Sequence, residues 1–517
     1  MDLATYASLD GVGLGELVRT GEISAREAAD AGLRAIAAVN PDLNAVIEVY
    51  DQAPLTAIKP DSHAPFAGVP FLLKDIGSHD AGATFELGSR IARGLKAPPV
   101  ASELVNRFRQ TGVTVLGRTN IPELGSSCTT EPLLYGPTRN PWDPSRTAGG
   151  SSGGAAAAVA SGMVPIAHAN DGGGSIRWPA SACGLVGLKP SRNLNPVGPH
   201  EALALNGLAC EHIVSRSVRD TAAMLDWTAG PDAGAWCYTP RIAGSYLDRM
   251  RETPRRLRIA LDLEPRFPPT TLSPEVVAAM HDVARLCEEA GHVVEEASVV
   301  FDHEAMLPAF ARILATGLRG AVEALSAMTG RPIDDTMLEP HVLAAWRDMR
   351  DVSAVEFDQA LGMMNMVARA YGETFRSYDL ILTPADGQCR QHPRPAFTET
   401  DTRKAIALRI GGHQQFVAIL QESAPFAAGQ VQRFTTAARD FHQAPPGSQR
   451  IAGQGAGPQQ IARRKVATVA GMVRHQLCSG PVHVRHRTRT KPDRRRSAVA
   501  HPVESNTSMV TAKAPRA

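Results

Sequence analysis

Gly149-Gly150-Ser151-Ser152-Gly153-Gly154-Ala155-Ala156-Ala157-Ala158-Val159-Ala160 changes character at its midpoint. The first half is glycine and serine, a composition that favours tight turns and close backbone approach. The second half is a strong helix former with almost no side-chain entropy to lose. A glycine-rich loop therefore feeds directly into a helix. Residues 136–148, in front of it, are rich in Gly, Pro, Asn, Asp and Ser and read as loop. Behind the helix, Met163-Val164-Pro165-Ile166 is a candidate strand. A second polar glycine turn follows, Asn170-Asp171-Gly172-Gly173-Gly174-Ser175.

The same alternation extends in both directions. Ser24 and Glu27 form a capping box, and Ala29, Leu33, Ile36 and Ala37 recur at helical spacing until Asn40-Pro41, where the run is expected to stop. Gly68-Val69-Pro70-Phe71-Leu72-Leu73-Lys74 reads as a short buried strand with Lys74 at its end. Ser102 is placed to cap a helix carrying Leu104, Val105 and Phe108, and Val113-Thr114-Val115-Leu116 follows as the next strand. Residues 240–375 read as a mainly helical lid or peripheral layer, and Tyr378-Asp379-Leu380-Ile381-Leu382-Thr383 as one more buried strand. Strands alternating with helices make the fold class α/β.

Composition then limits the function classes. The 517 residues carry a formal net charge of +2, which conceals two unlike parts. Residues 391–517 hold 20 Lys/Arg against 6 Asp/Glu, a net of +14, and residues 1–390 hold 34 against 46, a net of −12. Leucine divides the same way, 38 against three (Leu408, Leu420 and Leu477), while glutamine runs in reverse, four against twelve. Leucine is ordinarily among the commonest residues, so its near-loss argues against a second packed core. Met1–Asp10 has no basic start followed by an apolar stretch, so no signal peptide is read. No uninterrupted apolar run reaches the roughly 18 residues that span a bilayer, so no membrane is expected and the expected compartment is the cytoplasm. Cys128, Cys183, Cys210, Cys237, Cys287, Cys389 and Cys478 are odd in number and widely spaced. They fit reduced thiols, not a disulfide framework or a zinc site.

Two glycine-flanked serines direct attention to nucleophilic chemistry. Gly149-x-Ser151-x-Gly153 matches the hydrolase elbow pattern, which needs a buried strand just before it. The preceding Pro141-Trp142-Asp143-Pro144-Ser145-Arg146-Thr147 cannot form a central strand, so context opposes the elbow. No Gly-Lys-Ser/Thr follows a glycine run and no His-Glu-x-x-His occurs, which removes the phosphate-loop and zinc-protease patterns. Ser–Lys chemistry is the other route. A serine hydroxyl is a weak nucleophile until a base takes its proton. A lysine can serve only when neutral, which burial achieves by lowering a pKa of about 10.4. Lys74 ends an apolar run, where such desolvation can occur. Spacing alone leaves plainer roles standing: Lys74 paired to Asp75 or to a helix end, Ser151 and Ser152 as caps of the Ala155 helix, and Ser175 as the end of a turn.

Taken together, these residues resemble the amidase signature family. The resemblance rests on Gly149–Gly154, on Asp171-Gly172-Gly173-Gly174-Ser175-Ile176-Arg177 with Pro179-Ala180, and on Cys183-Gly184 with Gly187-Leu188-Lys189-Pro190. Upstream it takes in Gly68-Val69-Pro70 with Lys74-Asp75, Gly117-Arg118-Thr119-Asn120, and Gly136-Pro137-Thr138-Arg139-Asn140-Pro141-Trp142, in the family's order across residues 12–385. Within the family, Thr129-Thr130-Glu131-Pro132 and Ala167-His168-Ala169-Asn170-Asp171 resemble the bacterial 6-aminohexanoate-cyclic-dimer hydrolase type.

The resemblance implies a mixed central sheet flanked by helices, forming one amidase signature domain over residues 1–385. It implies Ser175 as nucleophile, Ser151 after a cis peptide bond as bridging serine, Lys74 as general base, and Ser152 in support. Gly172, Gly173 and Gly174, with Ser175, would supply backbone N–H groups as an oxyanion hole, braced by Asp171 and Arg177. No metal and no organic cofactor are implied. The implied reaction is hydrolysis of a linear or cyclic carboxylic amide, a small molecule, to carboxylate and amine through an acyl-Ser175 intermediate. Oligomeric state stays open, a homodimer included. The amidase subunit of a tRNA-dependent amidotransferase shares the core motifs and is the alternative, although His168-Ala169-Asn170-Asp171 resembles that subunit less.

Beyond Thr383-Pro384 the family's pattern ordinarily continues with Gly-Gln-Pro-Ala and Leu-Pro-Leu-Gly type segments. Residues 386–517 show neither, but carry His483-Val484-Arg485-His486-Arg487-Thr488-Arg489-Thr490 and Arg494-Arg495-Arg496. Such a basic arm can hold phosphates, yet binding motifs and aromatic interleaving are missing, so nucleic acid is not expected as a partner. A change of reading frame past residue 386 accounts for the simultaneous change in leucine, glutamine, charge and periodicity. On that reading 386–517 is a disordered tail, the core lacks strands, and an intact catalytic signature sits in an impaired amidase.

Overall fold

The computed structural model describes residues 1–50, 63–264, 271–348 and 351–385. The expectations for residues 386–517 lie outside the described residues. The strands are β1 (Val46–Val49), β2 (Pro70–Lys74), β3 (Thr114–Thr119), β4 (Arg139–Asn140), β5 (Asp143–Thr147), β6 (Ile166–Asp171), β7 (Val186–Gly187), β8 (Cys210–Ser215), β9 (Arg258–Leu261), β10 (Val293–Glu296) and β11 (Leu380–Leu382). The α-helices are α1 (Leu3–Ser8), α2 (Gly11–Arg19), α3 (Ala25–Leu43), α4 (Glu103–Gln110), α5 (Gly153–Ala160), α6 (Arg177–Ala182), α7 (Val218–Thr228), α8 (Tyr246–Arg249), α9 (Pro274–Glu289), α10 (His303–Thr329), α11 (Pro340–Asp348) and α12 (Ala354–Thr374).

All five residues of β2 are buried, as a near-continuous apolar run requires of a strand covered on both faces. β2 runs parallel to β3, with Lys74 opposite Thr119, and β3 is antiparallel to β1. A second sheet, ordered β6-β8-β7, is antiparallel throughout. β2 and β6 pack side by side, but among the described residues no ladder joins them. The expected mixed centre is thus present as two three-stranded sheets. α5 packs against both, touching β2, β3, β6 and β8, with Gly153–Val159 all buried. A helix apolar on every side belongs in a core. Phe71, Leu72 and Leu116 are fully buried here, and each such side chain contributes about 1.5–3 kcal/mol relative to exposure.

Several local expectations shift. α3 opens on the capping box of Ser24 and Glu27, but it continues through Pro41 to Leu43. Pro41 removes one N–H donor without reversing the chain; Asn44 ends the helix in the left-handed region, φ 52°. Asn40 Oδ1 then accepts the Ala45 and Val46 N–H groups at 2.8 Å each. Ser102 does precede α4, yet its hydroxyl makes no cap bond; it accepts the His79 N–H at 3.1 Å. The loop over 136–154 contains the short hairpin β4–β5. The strand expected from Met163 begins at Ile166, because the Met163 N–H still closes the end of α5 on Ala158 O (3.0 Å).

The layer over 240–375 is mainly helical, α8 to α12, but also contains β9 and β10, which join β11 in a separate parallel sheet. Among the described residues one helix, α10, meets the length and mean hydropathy of a membrane span. At 27 residues and a window hydropathy of 1.2 it is long and apolar enough to cross a bilayer, because scattered polar residues interrupt its apolar run without lowering its average much. Ala309, Ile313, Ala315, Val322 and Leu325 of this helix are buried within the protein. Its Phe310 ring lies over the second glycine turn, 3.0 Å from where a Cβ on Gly173 would stand.

Candidate active site

β2 delivers Lys74 into the interior, where the residue is 1% exposed. Its Nζ lies 2.7 Å from Ser151 Oγ and 2.5 Å from Asn170 Oδ1. Burial pulls the ammonium down from its ordinary 10.5 to about 7, with the carboxylates of Glu211 and Asp171 working in the opposite direction. The plainer pairing with Asp75 is not made. Asp75 faces Arg118 and accepts the N–H groups of Glu86 and Gly88 at 3.1 Å each. Lysine and carboxylate are adjacent in sequence, and successive side chains of an extended chain point to opposite faces.

The glycine-serine loop brings Ser151 to Lys74. The Gly150–Ser151 peptide bond is cis, and Ser151 and Ser152 are both buried. Neither serves as a hydroxyl cap: Ser152 stands at the N-cap of α5 without a cap bond, and its Oγ donates to Asn170 O at 3.4 Å. Thr130 fixes the loop, donating to Gly149 O (2.9 Å) and accepting the Gly153 N–H (3.2 Å). Ser175 lines the same cavity as Ser151, Gly172 and Gly173, and its carbonyl accepts the Ser152 N–H at 3.3 Å.

Asp171 organises the second turn. Fully buried, it accepts from Gly174 N–H at 2.8 Å, Ile176 N–H at 3.2 Å and Arg177 N–H at 3.3 Å. Arg177 adds a two-pronged contact, Nε at 2.8 Å and Nη2 at 2.9 Å. Burial alone would raise the Asp171 carboxyl; the hydrogen bonds and charge of Arg177 outweigh it and hold the group below the usual range. Asp171 and Arg177 are thus paired directly within the second turn. The Gly174 N–H is thus committed to Asp171, while Gly172, Gly173 and Ser175 line the cavity.

Sequence reasoning missed the polar residues behind Lys74. His168 and Asn170 stand two apart on β6, hence on one face, and Asn170 is the register partner of Glu211 on β8. His168 Nδ1 accepts the backbone N–H of Lys74 at 3.2 Å, so Nε2 carries the proton donated to Glu211 Oε2 at 2.6 Å. Asn170 Nδ2 donates to Glu211 Oε1 at 3.0 Å. The alternation in His168-Ala169-Asn170 was the available signal; nothing local marks Glu211. Among the described residues no three His, Cys, Asp or Glu side chains are grouped to hold a metal ion.

The arrangement combines a buried amine near neutrality, a hydroxyl in hydrogen-bond reach, a second serine and backbone donors around one cavity. Known proteins are similar to this chain in sequence and in fold. The Amidase family profile matches residues 27–407. The 6-aminohexanoate-cyclic-dimer hydrolase of Paenarthrobacter ureafaciens is 37% identical over 338 residues, covering 64% of this chain and 68% of the relative. The enzyme of the same name from Pseudomonas sp. strain NK87 is 36% identical over the same shares. A solved 6-aminohexanoate cyclic dimer hydrolase complexed with substrate superposes with a TM-score of 0.69 at 33% identity, over 76% of this chain and 81% of that one. A bacterial aryl acylamidase of the amidase signature group superposes at 0.68 with 26% identity, over 75% and 82%. This chain belongs to the amidase family, the amidase signature hydrolases that act on the carbon–nitrogen bonds of amides.

Proposed function

We propose that this amidase works through a Ser175–Ser151–Lys74 triad and an acyl-serine intermediate. Neutral Lys74 takes the Ser151 proton as Ser151 takes that of Ser175, and Ser175 Oγ attacks the amide carbonyl. The N–H groups of Gly172, Gly173 and Ser175 receive the developing oxyanion. Each such donor typically stabilises the transition state by about 2.7–4 kcal/mol. The proton returns along the same path to the nitrogen of the leaving amine, the carbon–nitrogen bond breaks, and water attacks the acyl-Ser175 ester to release the carboxylate. The observation that carries this reading is the fully buried Lys74 Nζ at 2.7 Å from Ser151 Oγ, with Ser151 and Ser175 lining one cavity.

The substrate class is a small linear or cyclic carboxylic amide. Leu87, Leu124, Leu205, Phe310, Leu314 and Leu318 line the cavity and suit an apolar acyl chain. Given the relatives, 6-aminohexanoate cyclic dimer is the first substrate to assay. Ser175→Ala abolishes its turnover and the covalent labelling of the protein by a serine-reactive phosphonate; turnover that persists in this variant sinks the triad. The pH dependence has a definite sign. Lys74 acts as a base only when unprotonated, and burial holds it at about 7. Hence kcat/KM falls about tenfold per unit below that pH and levels off above it. A profile flat from pH 5 to 8 excludes Lys74 as the base.

A further inference from the structure

We propose that Glu211 is a positioning residue for Lys74, acting through His168 and Asn170, which close a hydrogen-bonded ring around the base. The proposal rests on the reading of Lys74 as the base. The ring leaves Lys74 at its backbone and returns at its side chain. Lys74 N–H donates to His168 Nδ1 (3.2 Å), His168 Nε2 to Glu211 Oε2 (2.6 Å), Asn170 Nδ2 to Glu211 Oε1 (3.0 Å), and Lys74 Nζ to Asn170 Oδ1 (2.5 Å). Two further main-chain contacts anchor it, Ser78 N–H to Glu211 Oε2 (3.2 Å) and Asn170 Nδ2 to Ile76 O (3.1 Å).

A carboxylate at 3% exposure is costly to bury unless its lone pairs are met, and here both oxygens are. Burial alone would raise the Glu211 carboxyl, yet the hydrogen bonds from His168, Asn170 and Ser78 hold it below its ordinary range, so it is an anion. That anion has two effects on Lys74. It orients the Asn170 amide so that Oδ1, not Nδ2, faces Nζ. It also opposes the desolvation of the ammonium. The ring further ties β2 to β6 where no ladder does, so the base and the strand leading to Ser175 keep one spacing. The other ionisable groups around the ring are Asp171, which acts on Lys74, His79 and Glu201, which interact with the Glu211 charge, and His212, which interacts with His168.

The test uses the full chain and two readouts: the pH–rate profile on 6-aminohexanoate cyclic dimer, and the pH midpoint of Lys74 acylation by acetic anhydride, read by peptide mass spectrometry. Removing the charge in Glu211→Gln makes the ammonium easier to deprotonate. Both the acid limb and the labelling midpoint move down by roughly one unit, the scale of a nearby opposite charge. Asn170→Ala, at a partly exposed position, loses the Nζ acceptor. It moves the midpoint in the same direction and lowers kcat about tenfold with KM nearly unchanged, the pattern of an interaction felt in the transition state. This second variant carries the test should Glu211→Gln fail to fold. If the folded variants keep the wild-type midpoint and limb while Lys74→Ala is inactive, the positioning role is overturned and the base stands. A midpoint that moves while the limb does not overturns Lys74 as the base, and the proposal with it.

Discussion

Two glycine turns meet at the candidate site, and they are enclosed by different material. At Gly149, Gly150 and Gly154 the walls are chiefly main chain, with the Thr130 side chain against Gly153: a Cβ on Gly154 would stand 2.4 Å from Asn120 N and 2.6 Å from both Ala45 O and Asn120 O. At residues 172–174 they are the ends of side chains: a Cβ on Gly173 would meet the Phe310 ring at 3.0 Å. Main chain tied by its own hydrogen bonds just beyond the ends of β1 and β3 cannot easily retreat, whereas a ring at the cavity wall can turn. The first turn therefore uses glycine to let α5 close on β1 and β3, which sets where Ser151 stands. On the proposed mechanism, the second uses it to keep backbone N–H groups open to a carbonyl.

The largest expected effect tests the first turn. Gly154→Ala gains the helix propensity of alanine, about 0.5–1 kcal/mol. It then drives a methyl group into peptide groups that already bond one another, Asn120 N–H to Ala45 O (2.9 Å) and Gly154 N–H to Asn120 O (3.1 Å). Overpacking of this kind costs up to about 3 kcal/mol, at times more, so the net is a clear loss. Urea unfolding of the full chain measures it. A loss below about 1 kcal/mol means that the main-chain wall yields and the contrast with the second turn disappears.

Asp171→Asn is expected to come next, and it asks what holds the second turn in place of main chain. The asparagine keeps the shape but loses the charge that faces Arg177 and one of the two acceptor oxygens. Hydrogen bonds to charged groups are worth about 1.5–3 kcal/mol, and the Arg177 side chain is half exposed, so the loss is about 2 kcal/mol after solvent screening. Turnover falls with it, because the Gly174 and Ile176 N–H groups flank Ser175 and lose their anchor. Wild-type stability and turnover in this variant would show that the turn is held by something other than the carboxylate.

How far the sequence announced this structure depends on how far apart the interacting residues are. The Ser24–Glu27 box, the all-buried β2 and the polyalanine α5 were legible because their causes lie within a few residues. Lys74, Ser151 and Asp171–Arg177 were legible through motif order. The end of α3 was not, since Pro41 is tolerated and the stop depends on Asn40 reaching Val46. Glu211 was invisible because its role arises only when the β6–β8 register sets it opposite Asn170. The partner of the Gly174 N–H was hidden too. A motif gives the presence of Gly174, but only the fold shows its N–H spent on Asp171.

Gly173→Ala carries the smallest expected change in stability and decides the comparison most sharply. The added methyl group meets one ring, which can turn away, so the loss stays under about 1 kcal/mol, below the usual range for overpacking a rigid core. On the proposed mechanism the methyl group also stands on the path of the substrate carbonyl. A tenfold fall in kcat/KM corresponds to about 1.4 kcal/mol of transition-state stabilisation, and that is the scale expected. Phe310→Leu in the same chain separates the two consequences. It relieves the contact with the ring and restores stability, but the methyl group still blocks the carbonyl, so the rate does not recover. Recovery of both together would mean that Gly173 is glycine only to accommodate Phe310, and that the second turn, like the first, is a matter of packing.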